Sequence, residues 1–184
     1  MTTIAVWLSK AWIAVALVAV GMVSVAPEAV DALGPSDTGT PPAPAFDRLQ
    51  RGWTREQTIY GRLGRFFDTV DSRLAKGQNL IDTARANGKD VTSLQEALNA
   101  FTSAVTQARP AYESGKDILA AHRGFDANGN VVDAAQAFQS TWDLRLRIQE
   151  IRQTIMPHGK VLREAIRAFR YANRPAITPT PAGG

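Results

Sequence analysis

Between Val91 and His122 the residues Val91, Leu94, Leu98, Phe101, Val105, Ala108, Tyr112, Gly115, Leu119 and His122 recur at alternating steps of three and four. That spacing holds apolar and small side chains on one stripe of a helix, like the seam of a coiled coil, and it leaves no period-two pattern for a strand. A stripe of this length has to be covered by other helices, and the flanking stretches carry the same period.

From Phe46 to Asn87 the seam runs through Phe46, Leu49, Trp53, Tyr60, Leu63, Phe67, Val70, Leu74, Gly77, Ile81 and Ala84, with Glu56 as its only break. From Asp133 to Asn173 it runs through Ala137, Thr141, Leu144, Ile148, Ile151, Ile155, His158, Leu162, Ala165 and Phe169. Gly88 stops the first helix, Lys89-Asp90 makes the turn, and Ser93 with Glu96 has the spacing of a capping box. After Gly124 the loop FDANGNVVD places Phe125 where it can fold back on the helix end and Asn128-Gly129 at a tight turn, and Asp133 caps the next helix with Gln136 at the capping-box position. Short connections force antiparallel neighbours. The fold class is therefore all-α: an up-down-up antiparallel three-helix bundle with coiled-coil-like seams and helices over about 46–87, 92–122 and 134–173.

Counting outward from the turns gives a register. First- and second-helix residues face each other when their numbers sum to about 180, and second- and third-helix residues when they sum to about 256, at the helical rise of about 1.5 Å per residue. Gly64 then faces Gly115 near Thr141, by close helix approach or beneath a large neighbour such as Phe67 or Trp142. The same register sets Trp53 beside Phe125 and leaves the third helix from about Arg167 onward without a neighbour. Pro110 and Pro157 interrupt their helices and are expected to kink them.

Outside the bundle the composition changes. Lys10 precedes the unbroken apolar run Ala11 to Val25, which reads as a signal peptide. Taken as one segment, Ile4 to Val25 also approaches the roughly 20 residues of a membrane anchor. Residues 1–32 are thus a signal peptide or N-terminal anchor, with Val30 and Ala32 marking a cut that avoids Pro27. Residues 33–45 form a Pro/Gly/Thr-rich linker, 46–174 the bundle, and 175–184 a Pro-rich disordered tail. The chain is expected to be exported: periplasmic, extracellular or tethered to the outer face of a membrane. It contains no cysteine, which excludes thiol chemistry, a Cys-based metal site and a lipoprotein anchor.

Catalytic and metal signatures fail on inspection. Asp126, Asn128 and Asn130 begin like a calcium loop, but Val131 stands where its glycine belongs and Ala137 where its bidentate Glu belongs, leaving an Asx-rich turn. His122 and His158 both fall on seams but lie on the order of 36 Å apart in the register above, too far to share an ion. His122 suits a helix C-terminus, and His158 suits a core position beside Asp82. No nucleophile elbow, phosphate loop or convergent carboxylate pair is present. A non-catalytic protein without cofactor or metal is the expectation.

Charge rises above that background. Removing residues 1–32 takes away one basic residue (Lys10) and two acidic ones (Glu28 and Asp31) from totals of 21 and 17, leaving a net charge of +5. On the third helix Lys160, Arg163, Arg167, Arg170 and Arg174 repeat at steps of three and four, away from Leu162 and Phe169. On the first, Arg48, Arg51, Arg55, Arg62 and Arg65 do much the same. Charged faces are ordinarily just solvated, but most mix signs, and these barely do. The functional reading is contact with an anionic envelope surface or polymer, nucleic acid being disfavoured. The alternative is a holdase-type chaperone or binding protein holding protein clients on an aromatic half built from Trp53, Tyr60, Phe66, Phe67, Tyr112, Phe138 and Trp142. Seams of this kind also associate further, which suits a homo-oligomer.

The turn GKDVTSLQEAL (Gly88 to Leu98) and the loop AHRGFDANGNVVD (Ala121 to Asp133) together resemble a group of uncharacterised exported bacterial proteins built of long helices with an N-G-K-D-V turn and a G-F-D loop. The resemblance spans roughly Trp53 to Arg170. It implies export and long helices and assigns no activity. Pro110, Pro157 and the glycines depart from the Ala- and Glu-rich helices of that group.

Overall fold

A computed structural model describes residues 43–174, and within them three helices account for nearly all of the chain: α1 over Ala43–Ala86, α2 over Thr92–Ala121 and α3 over Ala134–Ala172. The three pack on one another as an up-down-up bundle. Helix α1 begins within the stretch read as linker, since residues 43–45 are already helical. The signal or anchor segment, residues 33–42 of the linker and the tail lie outside the described residues.

The seams become the core. Trp53, Tyr60, Leu63, Phe67, Val70 and Ile81 of α1 meet Leu94, Leu98, Phe101, Val105, Ala108 and Tyr112 of α2 and Leu144, Ile148, Ile151, Ile155 and Leu162 of α3, all buried. Glu56 does not interrupt this core but joins it. Its side chain is 4% exposed, and its Oε1 accepts a 3.0 Å hydrogen bond from Nε of Arg145 on α3. Gly52 lies against Thr141 four residues earlier on both helices, so α1 and α3 run parallel at a constant offset of 89.

Each antiparallel register is displaced by about one helical turn from the count made outward from the turns. Between α1 and α2, Gly77 lies against Leu98, Gly64 against Tyr112 and Tyr60 against Gly115. These pairs sum to 175 or 176 rather than 180. Gly64 and Gly115 therefore do not meet; each lies beneath a tyrosine of the other helix, and a Cβ on Gly115 would collide with the Tyr60 ring. The Tyr60 hydroxyl donates to the Tyr112 carbonyl oxygen, and burial pushes the phenol well above its usual range. Tyr112 stacks between Tyr60 and Phe67 at centroid distances of 5.2 and 4.4 Å. Trp142, proposed as a filler at this level, is instead exposed.

Between α2 and α3 the displacement has a visible consequence. Phe101 packs on Gly159, a pair summing to 260, so the seam passes through buried Gly159 and His158 turns outward, exposed. The core position expected for His158 is thus wrong by one residue, and Asp82 is engaged by Arg85 and Gln78 instead. The shift also carries α3 further along its neighbours: Ile166 is buried and Phe169 packs against the core, where the sequence count left this end without a neighbour.

The connections are built as turn chemistry requires, with two differences. Asp90, not a Ser93 capping box, opens α2, its carboxylate accepting from the Thr92 N–H at 3.0 Å. Helix α2 ends at Ala121 with His122 as its cap at φ 31°, exposed rather than on the seam. Gly124, at φ +83°, then presses on the Ala137 backbone where no Cβ would fit. Phe125 returns to stack on Trp53 at 4.7 Å. Asp133 caps α3 as expected, accepting from the Gln136 N–H at 3.0 Å. Pro110 and Pro157 both sit inside continuous helices and face solvent, so water can satisfy the carbonyls four residues earlier that their missing N–H groups leave unpaired.

Candidate anionic-partner surface

The basic residues singled out by sequence lie on the outside of the bundle. Arg48, Arg51, Arg55, Arg62 and Arg65 are exposed on α1, as are Lys160, Arg163 and Arg167 on α3, with Arg170 half-buried and Arg174 exposed just past the helix end. The guanidinium of Arg174 lies 5.7 Å over the Tyr171 ring. Such positions follow from the seam: with Leu162 and Ile166 turned inward, Lys160, Arg163 and Arg167 fall on the outer side of α3.

Five acidic side chains of the described residues pair with basic residues that lie outside the two stripes. Glu56 pairs with Arg145, Asp71 with Arg109, Asp82 with Arg85, Glu113 with Lys116 and Glu150 with Arg147. These basic partners all lie outside the two stripes, so the pairs neutralise other parts of the surface. Arg51 and Arg55, together with Asp47, Gln50, Thr54 and Thr58, line an open surface depression of about 570 Å³.

The two stripes do not converge. The first turns of α1 lie beside the start of α3, through Gly52–Thr141 and Glu56–Arg145. The α3 stripe begins at Lys160, beyond the level where Gly159 meets Phe101. The bundle thus carries a basic region toward each end, as the antiparallel count required.

The aromatic half divides. Trp53, Tyr60, Phe67 and Tyr112 are core residues and Phe66 is half-buried, while Phe138 and Trp142 are 48% and 43% exposed and stack on each other at 6.5 Å. Sequence reasoning grouped these seven together and overlooked Leu146 and Met156, which are also exposed on α3. The signal was available, because Phe138, Trp142 and Leu146 follow at steps of four off the seam.

At the Asp126 loop the carboxylate is filled by the chain itself. Oδ1 accepts from the N–H groups of Asn128 and Asn130 at 2.9 and 2.8 Å, and Oδ2 accepts from the Asn130 amide at 3.0 Å. These hydrogen bonds, that from the Asn130 side chain foremost, hold the carboxyl below its usual range. The Asn130 side-chain Oδ1 accepts in turn from the Gln50 amide of α1 at 3.2 Å, tying the loop to the first helix. Among the described residues no group of three His, Cys, Asp or Glu side chains could hold a metal ion, and no helix is long and apolar enough to cross a membrane. The chain matches no family model, no curated protein and no solved structure.

Proposed function

We propose that the bundle is a non-catalytic, exported interaction or structural component of the cell envelope whose basic stripes contact an anionic partner. The observation that carries this reading is the solvent-facing placement of the stripes while Glu56, Asp71, Asp82, Glu113 and Glu150 are held by other basic residues. A surface on which basic side chains outnumber acidic ones, as they do from Lys160 to Arg174 with Glu164 as the one acidic residue, attracts polyanions through many weak, salt-sensitive contacts. Export rests on the Lys10-led apolar run of the sequence and on the absence of cysteine. Burial of Trp53, Tyr60, Phe67 and Tyr112 removes most of the surface that a holdase would need, which supports the envelope reading over the chaperone.

Binding of the chain to a soluble polyanion such as heparin tests the proposal at about 50 and 200 mM salt, conditions that shorten the screening length appreciably. Binding should weaken at the higher salt and fall on reversing Arg163, Arg167 and Arg170 to Glu. A parallel reversal of Arg51, Arg55 and Arg62 assigns the share of the other end. Absence of binding at low salt would return both stripes to ordinary solvated surface.

A further inference from the structure

Helix α3 is apolar on two sides. One side enters the core through Leu144, Ile148, Ile151, Ile155 and Leu162. The other is left outside, with Phe138 at 48%, Trp142 at 43%, Leu146 at 37% and Met156 at 40% exposed. At about 100° per residue, these four and the basic Lys160 and Arg167 fall within an arc of roughly 80°, nearly opposite the core-facing residues. The acidic residues Asp143, Glu150 and Glu164 sit at or beyond one flank of that arc. A single outer face of the helix therefore offers aromatic and aliphatic side chains from Phe138 to Met156, with Gln149 and Gln153 among them, and cations from Lys160 onward.

We infer that this face of α3 docks on an anionic lipid bilayer, lying flat in the interface with Phe138, Trp142, Leu146 and Met156 among the upper acyl chains and Lys160 and Arg167 at the headgroup phosphates. The inference rests on the anionic-partner reading above and names its partner. Tryptophan and phenylalanine on one side of a helix with lysine and arginine beside them is the composition of an interfacial helix. Each cation near a negatively charged leaflet adds to the attraction that apolar burial alone would leave weak. A second copy of the chain fits less well. Antiparallel self-docking of the apolar half leaves the basic half facing water, and parallel self-docking sets like charges side by side. A soluble polyanion uses the cations and leaves the rings exposed. Only an anionic bilayer takes both halves of the face together.

The full chain contains no cysteine, so a nitroxide can be placed at one chosen position. The label goes on Leu146→Cys, with Gln107→Cys on the exposed face of α2 as the control. Vesicles of mixed phosphatidylglycerol and phosphatidylcholine are added at about 50 mM salt, where screening is weak. The label at 146 should become shielded from a water-soluble paramagnetic relaxant and accessible to oxygen, while the label at 107 stays aqueous. Because the readout is local to α3, insertion of any other segment does not imitate it.

Reversing Lys160 and Arg167 to Glu should weaken binding by at least about tenfold, and Phe138→Ser with Trp142→Ser should abolish the shielding while heparin binding persists. All four positions are exposed, and unchanged circular dichroism would establish that the variants fold. A label at 146 that stays aqueous on vesicle-bound protein overturns the inference. The anionic-partner reading survives that result if heparin binding remains salt-dependent, and fails separately if it does not. Equal shielding on pure phosphatidylcholine also overturns the inference, since the cations would then contribute nothing.

Discussion

Glu56 stands on the α1 seam between Trp53 and Tyr60, where every neighbouring seam position is apolar, and its one ion-pair partner is a guanidinium that is itself about a third exposed. The two residues therefore respond differently to removal. Arg145→Ala leaves a carboxylate in the core without its partner, and loss of one member of a buried pair costs several kcal/mol; with Arg145 at 36% side-chain exposure the expected loss is about 2–3 kcal/mol. Glu56→Leu removes the buried charge and lets Arg145 turn to water, for a change of less than about 1 kcal/mol in either direction. Urea unfolding of the two variants decides the matter. Equal losses would mean that the pair, rather than the burial of one partner, sets the energy.

At the scale of elements, the helices could be read directly because the three-four alternation is a property of each segment alone, and helices α2 and α3 begin within a residue of the expected positions. Register between helices is different, being set by which side chains interlock. Tyr60 filling the space over Gly115, and Phe101 the space at Gly159, move each antiparallel pairing by about one turn from the count. That displacement exposes His158 and extends the contact of α3 to Phe169. The stripes of arginine were legible for the same reason as the seams, since position off the seam suffices to place them outside. The second apolar side of α3 was less legible, because nothing in a period distinguishes an aromatic that finds the core from one that does not.

The loop joining α2 and α3 makes its own prediction. Asp126 accepts from Asn128 and Asn130, and Asp133 accepts from Gln136, so both carboxyls are held below the ordinary value of 3.8 in the folded chain. A carboxyl depressed on folding contributes stability that is present above its unfolded value and is lost as pH falls through its folded one. The urea midpoint should thus decline as pH is lowered from neutral to about 2.5, and Asp126→Asn, uncharged throughout, should decline less steeply than the parent. Parallel curves would remove Asp126 from the acid response.

Across the whole molecule the three helices are not held equally. Helices α2 and α3 share the most extensive interface, while α1, though the longest at 44 residues, packs on each of them less extensively. The side chains give the reason. Helix α1 meets its neighbours through Trp53, Tyr60 and Phe67, which stack on Phe125 and Tyr112 and whose rings hold the axes apart. Sub-global opening follows the least extensively packed unit. In native-state hydrogen exchange the amides of α1 should lose protection as a block before those of α2 and α3. Within α1 the turns around Glu56 and Tyr60 should open last, because the Arg145 ion pair and the hydrogen bond to the Tyr112 carbonyl oxygen hold them. A polyanion bound at Arg51, Arg55 and Arg62 would stabilise the closed state and slow exchange in that stretch, whereas one bound only at the α3 stripe would leave it unchanged. Uniform protection across all three helices without ligand would mean that the bundle opens only as a whole and that its aromatic contacts hold α1 as firmly as α2 and α3 hold each other.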